Sequence, residues 1–417
     1  MSIRCHRLWS REDATAVHPR LPPLPLDVLL EILKRSDAAT FVRAAATAKH
    51  IRRTVLDQDF LRDRLVLPSQ DYCLHFDPSL LIGVSSAKYR SAPVTSRPSL
   101  GFTAGHLLLE TFEPVASRVG LVVFRHRPRD DRGPAHLRVC NSLTGCTLRL
   151  PPASIDEAYP PALLDVHDAG RDFKLLVADQ QLRTQVYSSK HGKWGMVRWT
   201  DVRTHASSSS QPSLSTLASY FASHPVVLGR CATVAHWLCS YKMIVALDVS
   251  AAQATVIDVP RECIDRISET QQERGDKGVL LVASPDGKLG LLVADFETHA
   301  LDRVLADMHV DDVSPAEVEG TGGGSSSSAR WTRQVVIQRH AIDVRGPAWP
   351  VRFLAFGDQS GAVILLMHDV GLVQINLGSK ESRVISREFR DIDGFRDFKM
   401  CLHETDFPTV IRNMKHF

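Results

Sequence analysis

Short apolar runs bounded by turn residues recur along most of this chain, and none is long enough to bury both of its faces alone. Eleven stand out: residues 119–126, 136–142, 173–179, 184–189, 243–249, 279–284, 289–295, 333–338, 351–358, 362–368 and 372–378. Their aliphatic and β-branched content, without a sustained helical period, predicts strands. Ser284–Lys288 and Asp358–Gly361 supply the glycines of tight hairpin connections. The runs form a loose phrase of strand, turn, second strand ending near Asp or Tyr, polar turn and short third strand. Ala178–Trp194, Ala246–Pro260 and Val373–Ile385 are three instances. A phrase repeating at roughly fifty residues predicts small antiparallel sheets that must stack on one another, about six or seven of them closing into a β-propeller. The repeat is degenerate and has no Gly-Gly or Trp-Asp signature, so a two-sheet sandwich or irregular β-assembly is the alternative.

The N-terminal part reads differently. Leu26, Leu29, Leu30 and Leu33 follow Pro25 at helical spacing, with Val28 and Ile32 as a second apolar row. A helix with two apolar rows should be gripped on more than one side. Glu31 and Arg35 stand at ion-pair spacing. Ser36 and Asp37 offer an N-cap for a second helix carrying Phe41, Val42, Ala45, Ala46 and Ala48. Ile51 and Val55 mark a third helix, and Phe60, Leu61 and Leu65 a last turn after Asp57. Such a segment is too short for a core of its own, so its apolar faces need a partner: the protein's own body or another chain.

These residues resemble an F-box. The match lies in Leu24-Pro25, Leu29, Glu31-Ile32-Leu33, Arg35, Arg43, Lys49, Arg52 and Asp57-x-Asp59-Phe60, with Ser36-Asp37 and Ile51 departing from the usual residues. Later, Val139–Gly145 leading to Leu150-Pro151-Pro152 is similar to a phrase of plant F-box-associated propellers. So is Phe173–Leu175 followed by Val186–Ser189 and Gly192–Trp194. The resemblance implies an α+β multidomain chain: a disordered tail over 1–20, an all-α F-box over 21–66, and an all-β, propeller-like substrate-binding domain over 70–417. It implies a non-catalytic substrate receptor of a Skp-cullin-F-box ubiquitin ligase. Leu24, Pro25, Leu26, Leu29, Ile32, Leu33, Val42, Ile51 and Phe60 would meet a Skp-type adaptor and, through it, a cullin. A ligase-independent interaction scaffold is the alternative, and a propeller enzyme or sugar binder a third reading.

Composition narrows the rest. A net charge of +3 over 417 residues gives no case for nucleic acid or an anionic membrane. The arginines of 125–132 sit among Pro and Asp residues and read as a loop. No apolar run is long enough to span a bilayer and no leader pattern opens the chain. Eight cysteines without close pairs read as reduced thiols, and the expected location is cytoplasmic and/or nuclear. The Ser/Gly-rich stretches 204–215 and 319–330 read as flexible inserts.

Motifs that could carry chemistry are weak. Gly101–Gly105 mimics a nucleophile elbow without a strand-turn-helix setting. Cys231, His236 and Cys239, with Cys401 or His403 as a distant fourth, have zinc-ligand types. Strand alternation would point the two nearer thiols inward and His236 outward. Asp391–Gly394 matches only part of a calcium loop. No cofactor or metal is expected. Trp194, Trp237, Trp331 and Trp349 are expected in the cores of the sheets, unless one anchors a partner.

Overall fold

The computed structural model describes residues 24–36, 44–45, 47–55, 57, 60, 80–87, 112–126, 136–141, 146–167, 170–204, 224–228, 233–239, 243–265, 278–283, 288–295, 300–307, 330–338, 351–357, 360–367, 370–387 and 399–406. The tail over 1–20, Phe41, Val42, Ala46, Leu61, Leu65, the Gly101–Gly105 and Asp391–Gly394 motifs and most of both Ser/Gly-rich stretches lie outside them, as do Cys231 and Trp349.

Two helices open the described chain, α1 (Leu26–Arg35) and α2 (Lys49–Val55). Pro25 stands at the α1 N-cap, Asp27 lies in its first turn and Lys34 and Arg35 close its last, an order that suits the helix dipole. Glu31 pairs with Lys34 at 3.0 Å and with Arg35 at 3.9 Å. Ser36 ends this helix: its hydroxyl donates back to the Leu33 carbonyl at 3.0 Å. Leu33, Ala45, Ile51, Val55 and Phe60 are buried, and α1 touches α2. The Lys34 ammonium stands 5.6 Å from the Phe60 ring centre.

The remainder is mostly strand. After β1 (Leu80–Ala87), the first sheet is the meander β2 (Phe112–Arg118), β3 (Leu121–His126), β4 (Leu137–Asn141) and β5 (Thr147–Arg149). The second is β6 (Ala162–His167), β7 (Asp172–Ala178), β8 (Thr184–Ser188) and β9 (Lys193–Trp194). The third holds β10 (Asp201–Thr204), β11 (Val226–Val227), β12 (Val234–Cys239), β13 (Met243–Asp248) and β14 (Gln253–Asp258). Here β10 lies parallel along β14 while the other pairs are antiparallel. A one-turn helix α3 (Arg261–Asp265) follows. The fourth sheet is β15 (Val279–Ala283), β16 (Leu289–Asp295), β17 (Ala300–Asp307) and β18 (Arg330–Gln338). The fifth is β19 (Val351–Phe356), β20 (Ala362–Met367), β21 (Gly371–Asn376) and β22 (Ser382–Ser386). Finally β23 (Lys399–Asp406) returns to pair antiparallel with β1, from Leu80 opposite Asp406 to Ala87 opposite Lys399.

The arrangement is propeller-like. The innermost strands β2, β6, β11, β15, β19 and β23 touch in that order, and β23 meets β2 again, so the ring closes through the pairing of its first and last strands. Each interface carries its own apolar core. Leu121, Val139, Leu175 and Tyr187 join the first two sheets; Leu176, Trp237 and Leu247 the second and third. Leu238, Ile244, Leu281 and Leu291 join the third and fourth; Leu280, Leu292, Phe353 and Leu365 the fourth and fifth. Phe112, Phe124, Cys140 and Cys401 seal the last strand to the first sheet. This explains the uninterrupted apolar runs, since Val279–Ala283 and Ala362–Met367 are buried at every position because both faces are covered.

The innermost strands β2, β6 and β19 share a register shift, between Pro114 and Ala116, Leu163 and Asp165, and Phe353 and Ala355. A bulge leaves carbonyls unmatched in the ladder, and side chains fill that role here. His224 Nδ1–H donates to the Val115 carbonyl at 2.8 Å, and Arg118 donates to the carbonyls of Leu163, at 3.1 Å, and Leu164. Ser117 Oγ donates to the Leu402 carbonyl at 2.5 Å, so β2 is tied to a neighbour on either side.

Candidate functional site

The surface of α1 is the first place where this fold leaves apolar area in water. Leu33 is 2% exposed and Leu29 and Leu30 are half-buried, so three of the four residues of the predicted first stripe turn inward, whereas Leu26, the fourth, is 40% exposed. The second row remains open, with Val28 42% and Ile32 48% exposed, and Leu24, ahead of the helix, is 59% exposed. Four large aliphatic side chains are thus exposed within nine residues of chain, the kind of apolar exposure that marks an interaction site. Pro25 is also exposed.

The nine residues assigned to adaptor binding therefore divide. Leu24, Pro25, Leu26 and Ile32 are on the outside, and Leu29 is at the boundary. Leu33, Ile51 and Phe60 are buried. Val42 lies outside the described residues. Val28, not among the nine, is exposed as well.

The other large apolar side chains left exposed among the described residues are Met196, at 87%, and Trp199, at 70%. They follow β9 on the outer edge of the second sheet. The Arg183 guanidinium carbon stands 5.4 Å from the Trp199 ring centre. Sequence reading missed both residues, because Met196 and Trp199 fall between strands with no apolar period to betray them.

Trp237 is fully buried and donates its indole N–H to the Pro160 carbonyl at 3.0 Å, while Trp194 is half-buried. Nothing is described of the Trp331 side chain.

His236 overturns one expectation. It does not point outward but is 2% exposed, because β12 is covered by sheets on both faces. Its Nδ1–H donates to the Val226 carbonyl at 3.3 Å, and burial pulls its pKa down to about 4. Cys239 is buried beside it in the strand, its thiol contacting the Trp237 carbonyl and its pKa raised by burial to about 12. A neutral, buried imidazole and a protonated thiol are core groups. Cys401 instead faces His224, Sγ to Nε2 at 3.6 Å. Among the described residues, no three His, Cys, Asp or Glu side chains converge as a metal site. Among the same residues, no helix is long and apolar enough to cross a membrane.

Comparison with known proteins follows this geometry. No curated protein matches the chain. Among solved structures it is similar to a puromycin hydrolase in complex with PGG, at 13% identity and a TM-score of 0.36, covering 67% of this chain and 39% of that one. This chain thus spans about two fifths of the hydrolase's length. It is also similar to a structural genomics protein of unknown function from Bacteroides thetaiotaomicron, at 10% identity and a TM-score of 0.35, covering 75% and 66% of the two chains. Saccharomyces cerevisiae Sqt1 is matched at 8% identity and a TM-score of 0.35, covering 72% and 69%. A family model matches residues 82–417, most of the chain and nearly all of its strand-rich part. By that match the chain belongs to the family described as Domain of unknown function (DUF7595).

Proposed function

We propose that this protein is the substrate-recognition subunit of a Skp-cullin-F-box ubiquitin ligase, its helical module an F-box that docks on a Skp-type adaptor and its β-propeller domain the holder of the target protein. One observation carries the reading: the module keeps Leu33, Ala45, Ile51, Val55 and Phe60 inside while Leu24, Leu26, Val28 and Ile32 stay in water. That is the surface an adaptor groove would cover. Burying each such side chain is worth roughly 1.5–3 kcal/mol in transfer terms, of which association entropy and side-chain ordering remove a large share.

In this reading the protein performs no chemistry. Ubiquitin transfer belongs to the other subunits, and this chain supplies proximity between target and ligase, in the cytoplasm and/or nucleus. The plant F-box-associated phrases fit the same assignment. Asn141 ends β4 with its N–H bonded to the Cys146 carbonyl at 2.9 Å, and Leu150 is buried where the next sheet begins to pack.

Tandem purification of the full chain from cells tests it. Recovery of a Skp-type adaptor and a cullin together supports the assignment. Partners without either would instead make the protein an interaction scaffold independent of the ligase.

A further inference from the structure

We propose that the ridge Lys193–Trp199 on the outer edge of the second sheet is a docking site for an acidic peptide segment of a partner protein, anchored by an apolar residue against Met196 and Trp199. The inference concerns the β-domain alone and does not depend on the adaptor reading.

The ridge is held rigidly for something so exposed. Gly195 N–H donates to the Val186 carbonyl at 2.8 Å, and the buried Gln185 amide donates to the Gly195 carbonyl at 2.9 Å. Thr184 and Arg198 exchange both backbone hydrogen bonds at 2.8 Å. Arg198 also donates from its guanidinium to the Val249 carbonyl at 3.4 Å, which ties the ridge to the third sheet. Trp199 rests against Arg183, and Arg183 is fixed in turn by the buried Asp179. That carboxylate accepts from the Arg183 guanidinium at 2.5 Å and from the backbone N–H groups of Gln181 and Arg183 at 2.9 Å each. An indole 70% in water, yet braced by a pinned guanidinium, has little ordering entropy left to lose on binding.

Charge selects the partner. Lys193 and Arg198 are exposed on the ridge and Lys190 lies at the near turn, against one exposed carboxylate, Asp201, two residues beyond Trp199, while the Asp179 carboxylate is buried and engaged by Arg183. Trp, Met and Arg are also the residue types enriched where proteins grip one another. Nucleic acid is the weaker fit, because the chain as a whole carries only +3.

The test uses the immobilised full chain and a pooled library of peptides, each about twelve residues long to span the ridge, with a randomised apolar pair at the centre and glutamates on both sides. The wild type should enrich members of this pool and not of a lysine-flanked pool. Trp199→Ala and Arg198→Glu, both at exposed positions, should each cut the enrichment by at least about tenfold, and raised salt should weaken binding. No enrichment by the wild type, equal enrichment by both variants, or preferential capture of oligothymidine over the peptides would overturn the proposal.

Discussion

Ile32 and Leu33, consecutive residues of α1, stand on either side of the boundary between surface and interior, 48% and 2% exposed respectively. The same helix therefore contains a residue that holds the module together and one that the module does not use. Leu33→Ala should destabilise the helical module by about 2–5 kcal/mol, whereas Ile32→Ala should stay within about 0.5 kcal/mol of the parent. Amide hydrogen exchange over α1 and α2 in the full chain would read the difference. Equal loss of protection in both variants would contradict the division of the helix into an inner and an outer face.

Ring closure has its own test at Gly357. A Cβ placed there would lie 2.7 Å from Leu402 Cδ2 and 2.7 Å from Glu404 Cδ, and closer still to Glu404 Oε1. Glu404 is buried on β23 and accepts from the Ser360 N–H at 2.8 Å, so it has little room to retreat. Gly357→Ala should cost roughly 1–3 kcal/mol in denaturant unfolding, with the loss centred on β19 and β23. An unchanged midpoint would mean that the fifth sheet and the last strand are not locked together there.

The pH dependence of stability should carry the mark of His236. Its folded pKa, about 4, lies below the ordinary value of 6.5, so between those limits the unfolded chain takes up a proton that the folded chain refuses. Its contribution is complete above pH 6.5 and is lost as pH falls towards 4, by up to roughly 3 kcal/mol at about 1.4 kcal/mol per unit. Unfolding midpoints measured across that window should fall less steeply in His236→Phe than in the parent. Identical slopes would place the imidazole in contact with solvent.

Trp194 bridges two sheets, its indole N–H donating to the Pro151 carbonyl at 2.7 Å while its ring stands edge-on to Tyr187 at 5.4 Å. Trp194→Phe keeps an aromatic ring and removes the donor, and should cost about 1 kcal/mol in thermal or denaturant unfolding. A loss above about 3 kcal/mol would assign the residue to packing and not to this bond.

All eleven runs that read as strands are strands, because a strand covered on both faces must be apolar at nearly every position, and Val279–Ala283, Leu289–Asp295 and Ala362–Met367 announce themselves that way. The innermost strands β2, β6 and β23 are harder to see. Glu113-Pro114 in β2, Asp165-Val166-His167 in β6 and His403-Glu404-Thr405 in β23 interrupt the apolar pattern, and bulges in β2 and β6 break the alternation. His236 was misplaced because alternation assumes one wet face, and β12 has none. In α1 both apolar rows were legible, but periodicity could not say which residues would turn inward and which would stay open. Met196 and Trp199 gave no periodic signal, since their setting depends on the pairing of Thr184 with Arg198.

The direct measurement of the central claim is titration of a purified Skp-type adaptor into the full chain and into the double variant Val28→Asp with Ile32→Asp. Both positions are exposed, so the variant should keep the parent's unfolding midpoint. The account predicts saturable adaptor binding by the parent and its loss in the variant, a weakening of at least about a hundredfold. Adaptor binding of equal strength in both proteins, or none in the parent, would contradict it.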